Sequence, residues 1–125
     1  MNLLSEGGYL IVSIPNFRGV NYALTSIFNK ELIPLHNLDI MRKAEFLKLF
    51  DRADLLRLFC DYYGTFSFYL FYTKKDSPMR FALRLSYKLQ PLLNLIFRLV
   101  LRKTGAEGEL VSPYLLFIGR KMSKA

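Results

Sequence analysis

The stretch Gly7-Gly8-Tyr9-Leu10-Ile11-Val12-Ser13-Ile14-Pro15-Asn16 decides the fold class of this chain. From Leu10 to Ile14 it is apolar except at Ser13. That is the pattern of a strand buried on both faces, as in a parallel sheet covered by helices. Gly7-Gly8 supplies a tight entry, because glycine adopts positive φ at no steric cost. Pro15 has no N–H to give to a ladder, so the strand is expected to end at Ile14. A parallel strand needs parallel neighbours, which arrive through βα crossovers. Six residues precede Gly7, so those neighbours are expected later in the sequence or in a part of the fold these residues do not supply.

The chain has 125 residues, enough for one domain and too few for two. A hydrophobic content of 52% argues against disorder, because there is ample apolar surface to bury. Cys60 is the only cysteine, which excludes an intrachain disulfide and points to a reducing, cytoplasmic setting. Cys60 lies in an apolar strand pattern and reads as a buried structural thiol rather than a nucleophile. One histidine and one cysteine cannot make a zinc site. The N-terminus has neither the basic start nor the apolar core of a signal peptide. The uncharged run Leu89–Phe97 is well short of the ~20 residues that span a bilayer.

Outward from the opening stretch, Asn2–Glu6 reads as the tail of a helix ended by Gly7-Gly8. Val20–Asn29 reads as a short helix, and Pro34, His36 and Asn37 as loop. A helix is expected over Arg42–Ala53, with Phe46, Leu47, Leu49 and Phe50 inward and Asp39 as N-cap. Asp54 is expected to end it in the left-handed conformation. Leu55–Tyr63 is strand-like, and Thr65–Tyr72 reads as a further strand or a packed loop. Lys74–Pro78 is a polar turn in which Ser77 caps a helix over Pro78–Lys103, with a kink expected at Pro91. Gly105 and Gly108 close that helix, and Ser112–Lys121 is the last strand.

These pieces, in this order, resemble the class I S-adenosylmethionine-dependent methyltransferases. In that family a helix ends in a Leu-x-x-Gly-Gly turn and leads into the fifth sheet strand, which a variable loop over the substrate follows. Leu3, Leu4, Gly7, Gly8 and Tyr9–Asn16 match that segment. His36-Asn37, Arg42–Ala53, Leu55–Tyr63 and Ser112–Lys121 follow in the family's order, leaving residues 77–104 as an insertion. The resemblance implies the C-terminal portion of a Rossmann-like α/β sheet: one parallel strand, a lid loop, a helix and antiparallel final strands, the last inserted beside Tyr9–Ile14. It implies methyl transfer to a small molecule in the complete enzyme. The family builds its cofactor site mainly from earlier strands, with a glycine-rich turn and an acidic ribose ligand. No G-x-G follows a strand here, so S-adenosylmethionine is expected to bind only when another half, or a homodimer partner, completes the site.

Substrate contacts are expected near the carboxyl end of the first strand, where ligands bind in open α/β sheets. Asn16 offers donors and an acceptor there, and its alternative role is an Asx turn. Arg18, Asn21 and Tyr22 lie on the same loop. His36 and Asn37 are read either as substrate contacts or as hydrogen-bonded loop residues, and no carboxylate partner for His36 is visible in sequence.

Charge divides unevenly. Residues 1–76 hold nine Lys/Arg and eight Asp/Glu, a net of +1, whereas residues 77–125 hold nine and two, a net of +7. Arg80, Arg84, Lys88, Arg98 and Arg102 fall near one stripe of the 78–103 helix, beside an apolar arc wider than one packing face requires. Such a helix reads either as an insertion packed within its domain or dimer, or as a peripheral element at an anionic membrane surface. Aliphatic neighbours make nucleic acid the weakest reading of the same charge.

Overall fold

A computed structural model describes residues 4–73, 76–100 and 107–123. The elements are β1 (Tyr9–Pro15), α1 (Val20–Asn29), a 3-10 turn (Lys30–Leu35), α2 (Lys43–Lys48), β2 (Leu55–Tyr63), a short 3-10 turn (Phe68–Leu70), α3 (Met79–Val100) and β3 (Tyr114–Lys121). The protein is mixed α/β, with a three-stranded sheet in the order β1-β3-β2. β3 runs antiparallel to both neighbours, with Ile14 opposite Leu115 and Tyr62 opposite the same residue. β1 and β2 are therefore parallel to each other, one strand apart.

Period-two alternation puts Leu10, Val12 and Ile14 on one face with Leu115, Phe117, Cys60 and Tyr62, and α2 with the turn after it covers that face through Phe46 and Phe50. The other face is open. Tyr9, Ile11, Phe59, Tyr63 and Tyr114 are exposed on it, Ile11 to 65%. The expectation that β1 is buried on both faces is thus corrected. Its composition suits two covered faces, but the described residues cover only one.

β1 also has an open edge. The Asn16 N–H donates to the Pro113 carbonyl at 2.7 Å. Antiparallel alternation then aims the backbone groups of Leu10, Val12 and Ile14 at β3, and those of Tyr9, Ile11 and Ser13 outward. Among the described residues no strand pairs with that outward side. The same parity explains why the strand continues through Pro15 instead of stopping before it: the missing N–H falls on the open edge.

Other boundaries shift for identifiable reasons. α2 is shorter than Arg42–Ala53, because the Leu49 and Phe50 N–H groups bond back three residues, to Phe46 and Leu47, and tighten the end. Arg42 is its N-cap; the Arg42 N–H closes a turn on the Asp39 carbonyl, which leaves Asp39 outside the helix. Asp54 is not left-handed, since no non-glycine residue among those described has positive φ. It pairs instead with Arg52 at 2.8 Å. β2 carries a bulge at Leu58, between Arg57 and Phe59. The 65–72 segment is a packed loop with a 3-10 turn rather than a strand.

α3 begins as expected, with the Met79 N–H donating to the Ser77 hydroxyl at 3.2 Å. It continues through Pro91 to Val100, and Leu101–Lys103 lie outside the described residues, as do Asn2, Leu3 and Gly105. Its inner face joins a second core in which Leu83, Tyr87 and Phe97 meet Phe66, Phe71, Val111, Leu24 and Phe28. Gln90 locks this packing. Its amide donates to the Phe66 carbonyl at 2.6 Å and accepts from the Phe68 N–H at 2.5 Å. A buried glutamine on a helix is tolerated because both ends of its amide are paired.

Candidate functional site

The loop leaving β1 is tied to the segment entering β3. Asn16 is fully buried. Its Nδ2 donates to the carbonyls of Glu109 at 2.9 Å and Ser112 at 2.8 Å, and its Oδ1 accepts the Arg18 N–H at 3.2 Å. Asn21, also fully buried, donates Nδ2 to the Ser112 carbonyl at 2.9 Å. The Arg18 guanidinium meets Glu109 at 2.5 Å, and the Gly108 N–H donates to the Ser112 hydroxyl at 2.7 Å. The network joins residues more than ninety positions apart. It fixes where α1 starts relative to the carboxyl end of β1.

This placement separates the candidate residues. Asn16, Arg18 and Asn21 come together, and the amide donors of both asparagines are held by the chain itself. The Asn21 Oδ1 is enclosed without a partner. Tyr22 and Asn37 stand outside the network: Tyr22 is 44% exposed, and the Asn37 Oδ1 accepts the Asp39 N–H at 3.0 Å. The His36 Nδ1 lies 2.8 Å from the Leu32 carbonyl. A carbonyl only accepts, so Nδ1 carries the proton and Nε2 is left as the basic nitrogen. The His36 ring meets Phe17 edge-on at 4.7 Å. The Phe17 N–H in turn points at the Met41 sulfur at 3.2 Å, which pins the far end of the same loop.

Below the loop, the Tyr62 hydroxyl donates to the Met41 carbonyl at 3.1 Å. Burial raises the Tyr62 phenol above its ordinary value, with the Glu109 charge adding to it. Lys43 meets Asp61 at 2.6 Å. Burial alone would raise the Asp61 carboxyl, but the Lys43 hydrogen bond and the Tyr62 N–H outweigh it and hold the group below the usual range. Burial pushes the Cys60 thiol up, which keeps it protonated and poor as a nucleophile. No group of three or more potential metal ligands occurs among the described residues.

Gly19, the glycine nearest the carboxyl end of β1 in sequence, packs directly on the segment entering β3: a Cβ there would lie 2.6 Å from the Leu110 Cα. A cleft of about 480 Å³, lined by Leu4, Leu10, Leu49, Phe50 and Leu55, sits at the opposite, amino end of β1 and β2.

Glu109, Ser112 and Gln90 are the residues that sequence reasoning missed. Their partners are distant in the chain, so no local pattern marks them. Of the basic stripe on α3, Arg80, Arg84, Lys88 and Arg98 are exposed, and Arg98 reaches Thr65 at 3.5 Å. Arg102 lies outside the described residues. No helix among those residues is long and apolar enough to cross a membrane.

Comparison with family models, curated proteins and solved structures finds no match for this chain.

Proposed function

We propose that this chain is the C-terminal part of a class I S-adenosylmethionine-dependent methyltransferase acting on a small molecule. The observation that carries the reading is the strand arrangement, with β3 antiparallel between two mutually parallel strands. In the resembled family the final strand is likewise antiparallel and inserted beside the strand that follows the Gly-Gly turn. The open edge of β1 supports the same reading, because the earlier strands of such a sheet would join there.

In this reading the chain supplies the substrate side of the site. Asn16 and Asn21 hold the lid segment in place, Tyr22 and Asn37 are its exposed polar groups, and Arg18, on Glu109, and His36 are half-buried beside them. The His36 Nε2, freed as an acceptor by the Nδ1 contact with Leu32, is placed to receive a hydrogen bond from a hydroxyl or amine. The reaction class, methyl transfer from S-adenosylmethionine to oxygen, nitrogen or carbon, rests mainly on proximity and alignment. The chain by itself is expected neither to bind the cofactor nor to turn over.

Two measurements test this together. Calorimetric titration of S-adenosylmethionine into the chain is expected to give no saturable heat. Saturable binding is expected only once a separate polypeptide carrying a glycine-rich strand-turn-helix is supplied to complete the site. Tight binding by the chain alone overturns the reading.

A further inference from the structure

The outward face of α3 remains unexplained by the methyltransferase reading. Phe81, Leu85, Leu89, Leu92, Ile96 and Leu99 recur at intervals of three and four residues, which aligns them on one side of the helix. All six are exposed, Phe81 to 76% and Leu99 to 63%. Leu83, Gln90 and Phe97 face the opposite way, into the protein. The exposed arc is therefore not the packing side of the helix. It is a second apolar face, and isolated exposed leucines do not account for a continuous row of this length.

A basic row runs beside it. Arg80, Arg84 and Lys88 are spaced by four residues, one position from Phe81, Leu85 and Leu89. The helix carries no Asp or Glu. Among the described residues no carboxylate forms an ion pair with Arg84 or Lys88. At 1.5 Å per residue the helix is roughly 33 Å long, yet it is not apolar enough to cross a bilayer. Apolar surface flanked on one side by the positive charge of Arg84 and Lys88 is complementary to a lipid surface bearing anionic headgroups. A water-facing helix gains nothing from such an arc, and a phosphate-tracking one needs polar rather than aliphatic neighbours.

We infer that α3 docks the protein on an anionic membrane surface, with Phe81, Leu85, Leu92 and Leu99 entering the acyl boundary and Arg84 and Lys88 at the headgroups. This inference does not depend on the methyltransferase reading, and the failure of either leaves the other standing.

The test is co-sedimentation of the full chain with phosphatidylcholine vesicles that contain or lack phosphatidylglycerol. Pelleting is expected with the anionic vesicles, falling as added salt shortens the Debye length. The double variant Arg84→Glu, Lys88→Glu is expected to weaken binding about 30-fold or more, from the loss of two cation contacts. Leu85→Asp with Leu92→Asp is expected to weaken it as well, with far-UV circular dichroism unchanged in both variants. Absence of pelleting at low salt overturns the inference, as does equal binding to both vesicle types. Binding that survives the Leu85, Leu92 changes overturns it too. So does a dimer in sedimentation equilibrium that those two changes dissociate, which would assign the face to a second copy.

Discussion

Phe117→Ala is expected to cost about 3–5 kcal/mol of stability, the range for emptying a buried aromatic site. Phe117 is 1% exposed at the centre of the middle strand. Its ring lies flat against Phe50 at 3.9 Å with an interplanar angle of 11°, and Phe50 meets Phe46 edge-on at 5.1 Å. Stacking of this kind adds about 0.5–1.5 kcal/mol to the area term. The ring also closes over Gly119, where a Cβ would lie 2.8 Å from it. Because β3 provides both ladders of the sheet, loosening it weakens β1 and β2 together. A domain of this size holds about 5–15 kcal/mol in total, so the variant should be marginal at ambient temperature. Urea titration should show a lower midpoint with little change in slope. A loss below about 1 kcal/mol would mean that the aromatic stack is not the centre of the core.

Gly19→Ala is expected to be the most damaging change on the surface of the loop. Gly19 has φ 58° and ψ −130°, a conformation that costs a non-glycine residue about 1–3 kcal/mol. An added Cβ would also lie 2.6 Å from the Leu110 Cα and 2.7 Å from its carbonyl oxygen. Those are backbone atoms and cannot rotate away. The Val20 N–H bond to the Leu110 carbonyl, at 2.9 Å, is the contact that must give. Losing it adds about 1–3 kcal/mol for a backbone group left unpaired. Gly108→Ala is the control, since nothing lies within 4 Å of a Cβ there and its φ is not positive. Denaturant midpoints should fall for the first substitution and hold for the second. Equal stability of the two variants would show that the loop after β1 is not anchored at Leu110.

Much of the fold is legible in local pattern. Val20–Asn29 and Leu55–Tyr63 have the bounds that apolar periodicity gives, and Ser77 caps α3 as its position before Pro78 implies. The errors arise where tertiary context decides. Leu10–Ile14 has the composition of a strand with two covered faces, and composition does not reveal which faces the rest of the chain reaches. The bulge at Leu58 re-aims half of β2 without any glycine or proline to announce it. Asp39 has the right side chain for a cap but sits a turn too early, because the Arg42 N–H already closes on its carbonyl.

The candidate site divides in the same way. Asn37 stands exposed in a loop, as the sequence puts it, whereas Asn21 and Tyr22 fall in the first turn of α1 rather than on the loop, and Arg18 and His36 are half-buried. Asn16 and Asn21 have the chemistry of ligand contacts, yet their donors serve carbonyls that enter from just before β3. A donor's partner cannot be read from sequence when it lies at the other end of the chain.

The open edge of β1 joins fold to function in this account, and amide hydrogen exchange on the chain by itself tests it most directly. Slow exchange is predicted at Leu10, Val12 and Ile14, whose N–H groups face β3. Fast exchange is predicted at Tyr9, Ile11 and Ser13, whose N–H groups face outward. Uniform protection at all six amides would show that something already pairs with that edge, and would contradict the view of β1 as the strand on which the rest of a methyltransferase sheet is built.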